Sequence, residues 1–87
     1  HRHLIVSGRV QGVGFRWSTL QVAHKLGVSG WVQNQFDGTV RIEVQGPADL
    51  VHQFIATIKK GPTSYARVDR CQISEGQLKH YGSFTVR

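Results

Sequence analysis

The chain has 87 residues, which bounds it to one domain: one sheet with a covering layer of helices, and any site a surface cleft or loop. Eleven Lys and Arg against five Asp and Glu give a formal charge of +6 and a pI near 10.3, a balance that suits anionic partners. A single cysteine, Cys71, excludes an intrachain disulfide and a cysteine-rich metal site, and no apolar run approaches the ~18 residues of a membrane span.

The basic residues run from Arg2 to Arg87 without a cluster, so a solvated basic surface is the plain alternative to an anion-binding face. Cys71 lies in a strand-like run and reads as packed, not reactive. No signal peptide is visible, and a reducing cytoplasm is the expected compartment.

His3 to Ser7 is apolar and β-branched and continues to Val10, with Leu4, Val6 and Val10 sharing the parity of one buried face. A glycine loop follows, Gly8 to Arg16. Trp17 to Leu26 then changes period: Leu20, Ala23 and Leu26 recur three apart beside Val22, which predicts an amphipathic helix that Gly27 is placed to end. Trp17 and Trp31 are both expected to be packing residues.

Val28 to Asn34 returns to strand character, and Gln35-Phe36-Asp37-Gly38 reads as a hairpin turn. Thr39 to Gln45 alternates cleanly, with Val40, Ile42 and Val44 on one face and Glu43 on the outer one. Pro47 opens a second helix in which Leu50, Val51, Phe54, Ile55 and Ile58 follow helical spacing; Lys59 and Lys60 complement the carboxyl end of its dipole, and Gly61-Pro62 stops it. Ala66 to Ile73 is a further strand with Val68, Cys71 and Ile73 directed inward, and the slip of parity between Val68 and Cys71 predicts a bulge or twist. Glu75 to Gly82 is polar and loop-like, and Phe84 to Arg87 is a short closing strand. The order β-α-β-β-α-β, with a short fifth strand, predicts an α+β ferredoxin-like sandwich. Its two helices would cover one face of a four- to five-stranded, largely antiparallel sheet.

Much catalytic chemistry is missing from this sequence. There is no GxxxxGK[ST], and glycines at 8, 12 and 14 do not fit GxGxxG. The histidines at 1, 3, 24, 52 and 80 lack close ligand spacing, so no metal site is expected; His1 and His3 are read as a chance terminal pair. No Ser or Cys sits in a nucleophile motif, and the few carboxylates are claimed by turns, helix starts and strand faces. What remains is phosphate chemistry. Backbone N–H groups of Gln11, Gly12, Val13, Gly14, Phe15 and Arg16 are placed to hold a phosphoryl group at a helix start, and Arg16 brings an always charged planar fork. The competing reading is a tight strand-to-helix turn with a solvated arginine.

Gly-Arg-Val-Gln-Gly-Val-Gly-Phe-Arg at 8–16 resembles the signature loop of the acylphosphatase family. The likeness continues through Leu26-Gly27-Val28-Ser29-Gly30-Trp31-Val32-Gln33-Asn34, Asp37-Gly38-Thr39-Val40, Gln45-Gly46-Pro47, Ala66-Arg67-Val68-Asp69 and Phe84-Thr85-Val86-Arg87, in order over essentially the whole chain. The resemblance implies a ferredoxin-like fold and hydrolysis of a carboxylic–phosphoric anhydride to carboxylate and phosphate. Arg16 aligns with the catalytic, phosphate-binding arginine and Asn34 with the asparagine that positions the attacking water; alone, Asn34 would read as a turn residue at a strand end. The implied partners are a small acyl phosphate and inorganic phosphate as product and inhibitor, with no cofactor, no metal, no nucleic acid and no membrane, in a monomer. Two features depart from the family's pattern. Gln35 stands where many members carry a small hydroxyl residue, and the chain ends at Arg87, which leaves open the contact that the C-terminal end of some members makes near the arginine.

Two other functions are weighed against this one. An RNA-recognition module has the same element order, but the strand from Thr39 to Gln45 carries no aromatic for base stacking. Domains of the same kind also stand at the front of hydrogenase-maturation proteins, in longer chains, whereas this chain reads as sufficient alone.

Overall fold

The computed structural model describes residues 1–76 and 82–87. The elements are β1 (Arg2–Arg9), α1 (Phe15–Leu26), β2 (Ser29–Asn34), β3 (Val40–Gln45), α2 (Ala48–Lys60), β4 (Arg67–Glu75) and β5 (Phe84–Val86). Their sheet order is β4-β1-β3-β2-β5, antiparallel except for the parallel β2–β5 pair. This is the ferredoxin-like arrangement, with β5 added at one edge. Glu75 closes β4; of the stretch expected as a polar loop, residues 77–81 lie outside the described residues.

The period-2 pattern explains the layering. Leu4 and Val6 of β1, Val32 of β2 and Val40, Ile42 and Val44 of β3 are all fully buried, and the register sets Leu4 opposite Ile42 and Val6 opposite Val40. Helix α2 lays Val51, Phe54, Ile55 and Ile58 onto this face, and α1 adds Phe15, Thr19 and Ala23. Each large side chain fully buried there contributes about 1.5–3 kcal/mol. Phe54 meets Phe84 of β5 with ring centroids 5.7 Å apart, which ties the short closing strand to α2. Helix α1 lies over β2 and β5, so its N-terminus is carried beside the end of β2.

Helix punctuation follows the sequence. Gly27 ends α1 in the left-handed conformation, its N–H donating to Ala23 O at 2.8 Å. Pro47 opens α2, with Asp49 in the first turn and Lys59 and Lys60 in the last. The parity slip on β4 is a register shift: Ser7 pairs with Arg70 but Gly8 with Val68, leaving Asp69 as the extra residue. Val68 and Cys71 pack against the core, and burial pushes the Cys71 thiol upward, opposed by the nearby Lys59 charge. Ile73, expected inward, is 41% exposed; it faces the helix side but lines a groove with Ile55, Ala56 and Lys59 that α2 does not fill.

Two interactions on the helix-free face escape local reading. Glu43 is buried there because His1 Nε2, at 2.6 Å, and His3 Nδ1 take its two carboxylate oxygens. Trp31 is buried as expected, between the guanidinium groups of Arg41 and Arg87 at 5.5 and 4.7 Å from a ring centroid. Next to it, Gly30 has φ +136°, and a Cβ there would lie 1.9 Å from Glu43 O. Gly30→Ala is therefore expected to cost at least about 2 kcal/mol in chemical denaturation, whereas Gly82→Ala, in open space, stays within about 0.5 kcal/mol.

Candidate active site

The loop from Val10 to Phe15 is pinned at both ends. Val10 and Phe15 are each about 1% exposed, and Val13 packs against the same core. Between them Gly12 and Gly14 both take φ +74°, with open space where a Cβ would stand. These glycines serve backbone conformation, not crowding. Gly14 is the N-cap of α1 and makes no side-chain cap; the first helical bond runs from Ser18 N–H to Gly14 O at 3.0 Å. The N–H groups of Gly14, Phe15, Arg16 and Trp17 thus have no helical acceptor, and no acidic residue occupies the first turn.

Gln11 braces the loop from outside. Its Nε2 donates to Gln35 O at 2.8 Å and to Thr39 O at 2.9 Å, across the β2–β3 turn. That turn is stiffened in its own right: the Thr39 hydroxyl and amide donate to Asp37 Oδ1 at 2.6 and 3.0 Å. They hold the exposed Asp37 carboxyl below the usual carboxylate range. The lowered value means that this contribution is complete above the ordinary carboxylate pKa and fades as pH falls through the shifted one.

Val10, Gly12, Gly14, Phe15, Arg16, Trp17 and Asn34 line one cleft of about 180 Å³. The structure therefore brings together five of the residues singled out in the sequence: Gly12, Gly14, Phe15, Arg16 and Asn34. Gln11 and Val13 do not line it; the first turns its side chain to the hairpin and the second to the core. Arg16 has no acidic partner among the described residues. Its Nη1 donates to Arg87 O at 3.1 Å, while Arg87 N–H donates to Val32 O at 2.8 Å. The C-terminal contact left open by the sequence is thus made, and it orients the guanidinium. Across the cleft Asn34 Oδ1 is buried and accepts no hydrogen bond from a described residue.

Trp17 corrects an expectation. It is 64% exposed and forms part of the cleft wall, not the core. At 100° per residue it stands about 200° around the helix from Phe15, away from the buried line of Phe15, Thr19 and Ala23. Measuring the helical face from Phe15 instead of from Leu20 would have found this. Val10 and the Arg87 carbonyl also escape sequence reading: Val10 reads only as a strand residue, and nothing local connects Arg87 to Arg16. Among the described residues no three His, Cys, Asp or Glu side chains are grouped to hold a metal.

A ferredoxin-like sandwich that brings a helix N-terminus, Arg16 and Asn34 to one cleft is an α+β domain with a basic cleft at a helix start. Comparison with known proteins gives its kinship. The acylphosphatase family profile matches residues 2–86. An acylphosphatase of Ligilactobacillus salivarius is 47% identical over 83 residues, 95% of this chain and 92% of that protein. The crystal structure of acylphosphatase from Bacillus subtilis superposes with a TM-score of 0.93 at 33% identity, covering 99% of this chain and 96% of that one. Full-length HypF, in a phosphate- and nucleotide-bound form, contains the same fold with a TM-score of 0.91 at 36% identity, over 99% of this chain but 11% of its own. The chain belongs to the acylphosphatase family.

Gln11→Ala removes both braces between loop and turn; a loss of about 1–2 kcal/mol in urea unfolding is expected, against little change for a substitution at the exposed Gln21.

Proposed function

We propose that this chain hydrolyses the carboxyl–phosphate bond of acyl phosphates, releasing carboxylate and inorganic phosphate. The observation that carries the reading is one cleft lined together by the start of α1, by Arg16, which has no Asp or Glu partner among the described residues, and by Asn34.

In this mechanism the amides of Gly12, Gly14, Phe15 and Arg16, which line the cleft, and the Arg16 fork hold the phosphoryl oxygens. Charge-assisted, fork-shaped bonds suit a tetrahedral phosphoryl group, and they strengthen as charge builds on it. The Asn34 side-chain amide can both donate and accept hydrogen bonds, so the residue orients water without acting as a base. The water attacks phosphorus opposite the carboxylate, the P–O bond to the acyl group breaks, and the water's proton passes to phosphate oxygen. A carboxylate leaves readily, so positioning and charge stabilisation supply most of the acceleration. Positive charge comes from Arg16 and the amides, and the reaction is expected to need no metal. All of these groups come from one chain, which suits a monomer, and the lone thiol suits a reducing cytoplasm.

Benzoyl phosphate hydrolysis in EDTA tests this reading. Turnover is expected to persist, with inorganic phosphate as a competitive inhibitor. Arg16→Ala is expected to lower kcat/KM by about 10²–10³-fold, and Asn34→Ala by about 10²-fold with the loss mainly in kcat. Both side chains sit at the cleft, so circular dichroism should remain native. Undiminished hydrolysis by folded Arg16→Ala contradicts the mechanism, and dependence on a divalent ion contradicts its metal-free form. Because the fold also occurs within the longer HypF, turnover by the 87-residue chain itself is the relevant result.

A further inference from the structure

Trp17 is a large aromatic side chain that serves no packing role among the described residues. It is 64% exposed, and it makes no ring contact or hydrogen bond with a described residue. An indole carries ample apolar surface and normally buries most of it. Here it occupies the third helical position of α1, directly after Arg16, on the side of the helix turned from the core. Side chains on a helix tilt toward its N-terminus, so the ring leans toward the end where the unpaired N–H groups gather. It shares the cleft wall with Gly12, Gly14, Arg16 and Asn34.

An acyl phosphate has two chemically different ends. The amides and Arg16 account for the phosphoryl end and offer nothing to an apolar group. The acyl end must then leave along the cleft wall, and Trp17 is the exposed aromatic surface in that wall. Binding sites commonly pair a few fixed polar groups with an apolar wall in this way. We propose that Trp17 is a specificity-determining residue that receives the acyl group against its indole face, so that the site favours acyl phosphates with aromatic or bulky apolar acyl groups over acetyl phosphate. This inference rests on acyl phosphate hydrolysis at the same cleft. It assigns no step of bond breaking to Trp17.

The test is steady-state kinetics with benzoyl phosphate and acetyl phosphate for the unmodified chain, Trp17→Ala and Trp17→Phe. The two substrates differ in intrinsic reactivity, so the readout is how each substitution changes their ratio. Trp17→Ala is expected to lower kcat/KM for benzoyl phosphate about tenfold, mainly through KM, and to leave acetyl phosphate within about twofold. Trp17→Phe, which keeps an aromatic face, is expected to retain most of the benzoyl preference. Equal losses on both substrates, or no loss on benzoyl phosphate, overturn the role of Trp17 while leaving acyl phosphate hydrolysis standing. An unmodified chain that hydrolyses neither substrate overturns the parent reading and this inference with it.

Discussion

Burial of Val10 and Phe15 at the two ends of one short loop is the constraint on which the site depends. Each belongs to the core that the sheet and helices share, so the loop between them has little freedom to relax. That matters because relaxation would otherwise consume the site. A mobile loop would turn its N–H groups toward water or toward nearby carbonyls, and Arg16 would search for a carboxylate. Instead Gly12 and Gly14 hold left-handed backbone, Gln11 is tied to Gln35 O and Thr39 O, and Arg16 is turned by the carbonyl of Arg87. The fold thus holds the loop and Arg16 in one arrangement. Asn34 lines the same cleft, and its Oδ1 accepts no hydrogen bond from a described residue.

The same constraint divides labour around the cleft. Positive potential comes from the helix end and from Arg16, the one side chain there with a fixed full charge. The acceptor comes from Asn34, at the end of the neighbouring strand. Among the described residues no Asp or Glu side chain lines the cleft, so none there competes with a phosphoryl group for Arg16 or repels it. On the far face of the sheet, stacking of Arg87 on Trp31 helps fix the strand that presents the Arg87 carbonyl to Arg16. Two surfaces of the sheet are in this way joined through one residue.

Much of this is legible in the sequence because it depends on local pattern. Alternation in Thr39–Gln45 sets the central strand, the spacing of Val51, Phe54, Ile55 and Ile58 sets α2, and the parity slip before Cys71 marks the bulge at Asp69. The glycine loop and Arg16 can be read as an anion site, though composition alone does not separate that site from a plain turn. Contacts between residues distant in sequence are not legible. Glu43 looks like a solvated outer-face residue until His1 and His3 are folded over it. Arg87 shows no sign of reaching Arg16, 71 positions earlier. Trp17 misleads for a different reason. Its spacing from Leu20 imitates a core stripe, but the helix is turned by Phe15, which looks like a loop residue and is in fact the first helical one.

Oxygen-18 labelling tests the central claim most directly. If the loop and Arg16 hold the phosphoryl group while Asn34 orients water toward phosphorus, hydrolysis of an acyl phosphate in H₂¹⁸O must place the label in inorganic phosphate and leave the carboxylate unlabelled, as read by mass spectrometry of both products after a single turnover. Label in the carboxylate would mean attack at the carbonyl carbon and would contradict the joint role of the loop, Arg16 and Asn34.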